Sequence, residues 1–143
     1  ELWDRVVDVN LRGVFLTTKH AVPGLREGEG GSIVNVSSQY GIIGDENRSH
    51  YCAAKGGVIS ITRALARELA PDVRVNAIAP GPIVTGKRGE LTAEYLDRRT
   101  ETIPLGRLGQ PEEVAPTAVF LASEQSSYYT GQTLSPDGGE AMH

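Results

Sequence analysis

Side chains that favour a buried position recur at intervals of three and four residues through the first part of the chain. Such spacing is typical of one face of an α-helix, so it predicts a helix with a buried stripe that continues towards Pro23. Charged residues among four glycines then indicate a solvent-exposed loop over residues 24–31. The positions of the stripe are Trp3, Val7, Leu11, Val14 and Thr18.

Three short apolar runs predict β-strands at residues 32–37, 72–79 and 132–135. Between the first two strands, apolar positions with helical spacing begin near His50 and stop before Pro71. Gly56 and Gly57 inside this helix are unfavourable for helix formation, so they predict the close approach of another backbone or of a bound molecule. The core positions of the helix are Ala54, Val58, Ile61, Leu65 and Leu69.

Two more helices are predicted in the second half of the chain. Thr92 is suited to cap a short helix, and Pro111 opens a longer one that carries two glutamates in its first turn. Pro116 lies within this second helix and lacks a backbone N–H. We therefore expect the regular helix to start late.

The composition is that of an ordinary soluble globular protein, and the charge favours a small-molecule partner over a nucleic acid. The chain has 143 residues, 39% hydrophobic and 22% charged, which favours one domain spanning residues 1–143. A net charge of −4 and a pI near 5.4, without a block of basic residues, argue against nucleic-acid binding. Cys52 is the single cysteine, which excludes an internal disulfide and a cysteine-based zinc cluster, and no metal site is predicted.

The sequence also bears on the cellular compartment. No apolar run approaches the roughly 20 residues that span a bilayer, and the first residues do not resemble a signal peptide. A lone cysteine fits a reducing compartment. The protein is therefore expected to be cytoplasmic, without a membrane partner.

Three side chains near the first strand and the following helix suggest proton-transfer chemistry. Tyr51 and Lys55 are four residues apart, so they share one helix face. A neighbouring ammonium favours the ionised form of a phenol, which suits Tyr51 to acid–base work. Ser38 follows the first strand, where open α/β sheets bind ligands, and begins a predicted loop over residues 38–49. Its hydroxyl can hydrogen-bond a substrate oxygen.

A tyrosine and a lysine at this spacing are a weak motif by themselves, because many amphipathic helices carry them. Here the pair accompanies Ser38, Asn10 in the preceding helix, and the sequence Pro-Gly-Pro-Ile-Val-Thr at residues 80–85. Together these features resemble the short-chain dehydrogenase/reductase family, specifically its single-domain members, over residues 3–139. The Asn-Ser-Tyr-Lys tetrad of the family falls on Asn10, Ser38, Tyr51 and Lys55.

The resemblance implies a reversible hydride transfer between NAD or NADP and a carbonyl or secondary alcohol. Tyr51 would act as general acid in reduction and general base in oxidation, and Ser38 would polarise the carbonyl. Lys55 would tune Tyr51 and hold the nicotinamide ribose. Asn10 would position a water that passes protons to solvent.

The resemblance also implies a cofactor-binding turn after the second strand. Backbone atoms of Ile83 and the hydroxyl of Thr85 would contact the nicotinamide carboxamide. The polar segment that follows, up to residue 103, would form a mobile substrate lid, where Lys87 and Arg88 either meet an anionic group or are solvated. The expected cofactor-binding residues are Tyr51, Lys55, Pro80, Gly81, Ile83 and Thr85.

The order strand, helix, strand predicts parallel strands joined by right-handed crossovers. With the resemblance, the fold class is α/β: the C-terminal half of a Rossmann-like doubly wound parallel sheet, with three strands and flanking helices. The glycine-rich phosphate-binding turn of the family is not in the sequence, so we expect roughly 100 further residues upstream. The chain of residues 1–143 alone should be inactive, and its first strand should have an open edge, covered by those residues or by a partner.

Partners follow from the resemblance as well, and a second interpretation stays open. A homotetramer is implied, in which the first helix and the Tyr51 helix pair across a two-fold axis and the segment with Tyr128, Tyr129 and Leu134 builds another interface. The alternative is a non-catalytic remnant or binding domain of the same fold. The intact tetrad argues against that alternative, and the missing glycine turn argues for it. Residues expected to border the substrate are Gln39, Tyr40, Asp45, Glu46 and His50.

Overall fold

A computed structural model describes residues 1–28, 30–85 and 92–142, apart from the side chain of Tyr95. Its helices are α1 (Leu2–Val7), α2 (Gly13–Arg26), α3 (Tyr40–Ile43), α4 (Ser49–Leu69), α5 (Ala93–Thr102) and α6 (Pro111–Ala122). A π-helical segment, Asp8–Arg12, joins α1 to α2, and a 3-10 turn, Glu124–Ser126, follows α6. The strands are β1 (Gly31–Val36), β2 (Val73–Ile78) and β3 (Thr133–Leu134).

The three strands form one parallel sheet in the order β1-β2-β3. Helix α4 packs on β2, and together they contribute the apolar core. The α/β fold class, with three parallel strands and flanking helices, is confirmed. The buried core residues of this contact are Leu65, Ala66, Leu69, Val73 and Val75.

The outer edge of β1 is open in the described part of the chain, as predicted. Strand β1 pairs with β2 on one side, from Gly31 opposite Val73 to Val36 opposite Ile78. On its other side a groove of about 470 Å³ runs between β1 and α2. Unpaired backbone groups at such an edge can accept another strand.

Three sequence predictions are wrong in detail. Trp3 was expected in the buried stripe but is 51% exposed. No residue of α1 is buried, so the stripe does not reach the core at this end of the helix. Helix α6 begins at Pro111 without delay and runs through Pro116, since its start is fixed by Glu113, whose carboxylate accepts the N–H of Gln110. The predicted loop after β1 contains the short helix α3.

The C-terminal end of α6 is fastened to the sheet by Arg74 of β2. The guanidinium donates to the carbonyl oxygens of Leu121 and Ser123 and to the hydroxyl of Ser126. Carbonyl groups at a helix end lack partners within the helix, so a cation there is favourable.

Among the described residues, no helix combines the length and apolarity needed to cross a membrane.

Candidate active site

Two serines at the end of β1 connect the sheet to α4. The N–H of Ser37 donates to the carbonyl of Ile78 over 2.7 Å, which extends the pairing of β1 with β2. The hydroxyl of Ser37 donates to the carbonyl oxygen of Lys55, also over 2.7 Å. Ser38 follows, 9% exposed, and its Oγ accepts the N–H of Tyr40 at 3.2 Å. The strand end is therefore held against the helix that carries the candidate base.

Helix α4 presents Tyr51 and Lys55 on one face, as their spacing predicts. Lys55 Nζ lies 5.7 Å from the centroid of the Tyr51 ring. The same ammonium donates to the carbonyl oxygen of Val36 over 2.9 Å. Partial burial lowers the pKa of Lys55 from its ordinary value, because desolvation disfavours the charged form.

A glycine in α3 lets this segment contact the backbone of α4. A Cβ added to Gly41 would lie 2.6 Å from the carbonyl carbon of Lys55 and 2.7 Å from the backbone nitrogen of Gly56. On the facing side, a Cβ on Gly56 would lie 3.3 Å from the carbonyl oxygen of Gly41. The close approach predicted from the glycine pair in α4 is therefore that of another backbone at Gly56. At Gly57 the neighbour is the side chain of Leu11, whose Cδ2 would be 2.7 Å from an added Cβ.

The turn after β2 is held from both sides. Gly81 donates its N–H to the carbonyl of Pro136, and a Cβ on Gly81 would lie 2.7 Å from the Cα of Asp137. Gly109 donates to the carbonyl of Pro82 over 3.0 Å and accepts from Val84 over 2.9 Å. These bonds bring the start of α6 next to the turn.

A cavity of about 480 Å³ opens where these segments meet. Six predicted site residues line it: Ser38, Tyr51, Pro80, Gly81, Ile83 and Thr85. The remaining lining residues are Ser37, Pro111, Val114 and Ala115. The last three were missed because they are apolar side chains on a helix far along the chain, and nothing in their types distinguishes them from core positions.

Asn10 and Lys55 are not among the residues that line this cavity. Asn10 lies in the π-helical segment, half-buried, and its Nδ2 donates to the carbonyl of Val6 over 3.0 Å. Segments of this kind are frequent at functional sites. The structure thus places Lys55 outside the cavity lining but close to the Tyr51 ring, and it shows the side chain of Asn10 bonded to the last turn of α1.

Other residues expected near the substrate lie elsewhere. Gln39 is 1% exposed, so it does not border a cavity directly. Asp45 and Glu46 line a second cavity, of about 680 Å³, with Arg98 and Arg99 of α5. Lys87 and Arg88 lie outside the described residues.

A larger cavity, of about 850 Å³, adjoins Ile83 between the C-terminal segment and α6. It holds none of the four tetrad residues. The smaller cavity is therefore the candidate site, because Ser38 and Tyr51 both line it near the carboxyl ends of β1 and β2. In open α/β sheets this edge is the usual ligand site.

An open parallel sheet with flanking helices and a cavity at the carboxyl ends of its strands is typical of a doubly wound α/β protein. Comparison of residues 1–141 finds a match to the family model described as enoyl-(acyl carrier protein) reductase. The chain belongs to the short-chain dehydrogenase/reductase family.

Individual relatives carry different names. The chain is 49% identical over 140 residues to the 3-oxoacyl-[acyl-carrier-protein] reductase of Thermotoga maritima, covering 97% of this chain and 57% of that protein. It is 44% identical over 142 residues to human (3R)-3-hydroxyacyl-CoA dehydrogenase, covering 98% and 54%. The structure of aldohexose dehydrogenase from Thermoplasma acidophilum superposes with a TM-score of 0.91 at 34% identity, covering 99% of this chain and 60% of that one. The chain thus spans a little over half the length of these relatives.

Proposed function

We propose that the complete protein is an NAD- or NADP-dependent oxidoreductase that transfers a hydride reversibly between the nicotinamide and a carbonyl or secondary alcohol. One observation carries this proposal: a single cavity joins Ser38 and Tyr51 to the turn of residues 80–85, with Lys55 Nζ 5.7 Å from the Tyr51 ring. A hydroxyl donor, a phenol and a cation are the groups that acid–base work on a carbonyl oxygen requires.

The lining of the cavity supports the binding of a nicotinamide ring there. One wall is apolar, formed by Ile83, Val114 and Ala115, while the turn offers the backbone of Ile83 and the hydroxyl of Thr85. The bound nicotinamide would supply or accept the hydride. The residues that would bind the nicotinamide end of the cofactor are Tyr51, Lys55, Pro80, Gly81, Ile83 and Thr85.

The chain's own residues account for the proton. In reduction, Ser38 donates a hydrogen bond to the carbonyl oxygen and Tyr51 gives that oxygen a proton; in oxidation, Tyr51 takes the proton back. Lys55 stabilises the phenolate that forms, because its ammonium lies close to the ring. We assign to Asn10 the positioning of a water that returns protons from solvent to Lys55.

The substrate is a small molecule. The names of the relatives suggest two classes to assay, 3-oxoacyl or 3-hydroxyacyl thioesters and aldohexoses. The complete enzyme is expected to be a cytoplasmic homotetramer.

The function is tested with the complete protein and a small panel of probes. Acetoacetyl-coenzyme A with NADH or NADPH represents the thioesters, and D-glucose with NAD or NADP represents the sugars. Tyr51→Phe should reduce turnover at least a hundredfold while nicotinamide binding, followed by fluorescence titration, changes less than threefold, because the ring remains and the acidic proton is lost. A Phe variant with wild-type turnover would disprove the mechanism. Absence of turnover and of nicotinamide binding in the wild type would favour the non-catalytic alternative.

Lys55→Ala separates the roles of Lys55. It should weaken nicotinamide binding and lower turnover together, since one side chain holds the cofactor and supports Tyr51. If only turnover falls, the cofactor-holding role is wrong. Lys19→Ala, at an exposed lysine of α2, is the matched control and should alter neither quantity.

A further inference from the structure

A largely buried ion pair lies outside the 480 Å³ cavity that Ser38 and Tyr51 line. Glu140 Oε2 is 2.9 Å from Arg99 Nη2, and the two side chains are 9% and 14% exposed. Glu140 belongs to the C-terminal segment, and Arg99 lies in α5. Removing one partner of such a pair leaves a buried charge uncompensated, so the two groups depend on each other.

The carboxylate of Glu140 joins three segments. Its Oε2 also accepts a hydrogen bond of 2.7 Å from Nε2 of Gln39, and its Oε1 accepts one of 2.9 Å from the hydroxyl of Thr102. Arg99 and Thr102 belong to the last turns of α5, and Gln39 follows Ser38 directly. Glu140 therefore connects helix α5 to the segment that carries Ser38.

Gln39 contacts both strand ends at the cavity. Its N–H donates to the carbonyl of Pro80 over 3.1 Å, and its own carbonyl accepts the N–H groups of Ile42 and Ile43. A carboxylate only accepts hydrogen bonds, so the amide nitrogen of Gln39 must face Glu140. The amide oxygen then faces the other way, 2.9 Å from a Cβ built on Gly81.

The Gln39 side chain is held by its hydrogen bond to Glu140. Its Oε1 is buried without a partner among the described residues, and Nε of Arg99 is in the same state. The bond to Glu140 is thus the polar contact that fixes the Gln39 amide between Glu140 and Gly81. Loss of the Glu140 charge would weaken that contact, because hydrogen bonds to ionised acceptors are the stronger ones.

We propose that Glu140 and Arg99 are positioning residues that act through Gln39 on Ser38. When α5 and the C-terminal segment are docked, the ion pair holds Gln39, and Gln39 holds Ser38 and the Pro80–Gly81 turn in one arrangement. This inference rests on the proposed function, in which Ser38 bonds the substrate oxygen. It couples helix α5 to the Ser38 hydroxyl through side chains that do not line the 480 Å³ cavity.

The kinetic test uses Glu140→Gln in the complete enzyme, with whichever probe of the panel above is turned over. This substitution keeps the shape of the side chain and removes its charge. We expect kcat to fall about tenfold while KM for the nicotinamide changes less than threefold, because the defect lies in the hydroxyl that acts on the reacting oxygen. Glu101→Gln, an exposed acid on the same helix as Arg99, is the control and should stay within twofold of wild type.

A double-mutant cycle asks whether the effect passes through Ser38. In a Ser38→Ala background, Glu140→Gln should cost less than twofold in kcat, because the group it positions is gone. A tenfold loss in both backgrounds would overturn the inference. Full activity of Ser38→Ala alone would instead contradict the proposed function.

Hydrogen exchange provides a readout that needs no turnover. The N–H groups of residues 39 and 41–44 are all hydrogen-bonded in the wild type. In Glu140→Gln they should exchange at least fivefold faster, while those of β2 keep their rates. Unchanged exchange in residues 39–44 would overturn the positioning role, whatever the kinetics show.

Discussion

Gly41 decides how closely α3 approaches the backbone of Lys55, the lysine of the proposed mechanism. The atoms that a new Cβ would meet are backbone atoms of Lys55 and Gly56, at 2.6 and 2.7 Å, and no rotamer change can move them away. Gly41→Ala should therefore push α3 away from α4. Because α3 begins two residues after Ser38, the displacement should reach the candidate active site as well as the core.

We expect Gly41→Ala to lower the free energy of unfolding by about 1 to 3 kcal/mol, the usual cost of overpacking, and to reduce turnover. Gly24→Ala is the control, since a Cβ on Gly24 meets nothing within 4 Å and alanine favours a helix by up to about 1 kcal/mol. Denaturant unfolding of the complete protein measures both variants. Equal stability of Gly41→Ala and wild type would show that α3 can shift freely.

The sequence alone relates candidate residues that lie close to one another in the chain. Ser38, Tyr51 and Lys55 lie within 18 positions, and helical periodicity with a strand end is enough to relate them. The contact of Gln39 with Glu140 joins residues 101 positions apart. No periodicity spans that distance, so Gln39 was expected at the substrate while the structure buries it.

At the level of elements, α6 shows how a helix start is fixed by charge. Glu113 accepts the N–H of Gln110 at 2.8 Å and bonds both terminal nitrogens of Arg107, at 2.6 and 2.7 Å. These bonds lower the pKa of Glu113 to about 2, the hydrogen bond from Arg107 being the main cause. The sequence predicted acidic residues at this end but not Arg107, which lies before the helix.

The stability that Glu113 contributes should depend on pH. Because its pKa is lower in the folded than in the unfolded protein, the contribution is complete above the unfolded value of about 4.3 and is lost as the pH falls towards 2. The difference in Tm between wild type and Glu113→Gln should be constant from pH 7 to pH 5 and shrink towards pH 3. Glu112→Gln, at an exposed neighbour in the same helical turn, is the control. A constant difference for Glu113→Gln down to pH 3 would contradict the assignment.

At the level of the whole molecule, the parallel order of the strands was predictable because strand, helix, strand allows few other arrangements. The length of β3 was not predictable, since only Thr133 and Leu134 pair with β2 where four residues were expected.

Gly57 has a different role from the expected one, which was the close approach of another backbone or of a bound molecule. It accommodates Leu11 of the same chain, so a bulky residue there would disturb the chain's own helix pair and would not test an interface between subunits.

The proposed tetramer is better tested at its second proposed interface, the segment with Tyr128, Tyr129 and Leu134. Tyr128 is fully exposed, and Tyr129 beside it is 40% exposed and packs edge-on against Phe120. Tyr128→Glu in the complete protein should convert tetramers to smaller species at micromolar concentration, measured by light scattering, because a carboxylate in an apolar interface is strongly unfavourable. Tyr128→Phe retains the ring and should leave the assembly intact. A tetramer that persists in Tyr128→Glu would place the interface elsewhere.

The π-helical segment between α1 and α2 changes the register of the first helical stretch. A π-helical turn takes up about one residue more than an α-helical turn, so Asp8–Arg12 holds one residue more than a regular turn would. Because each α-helical residue turns by about 100°, the positions of α2 are rotated by about that angle relative to a continuous α-helix. A helical stripe that is counted with fixed spacing from α1 is therefore displaced by one position in α2.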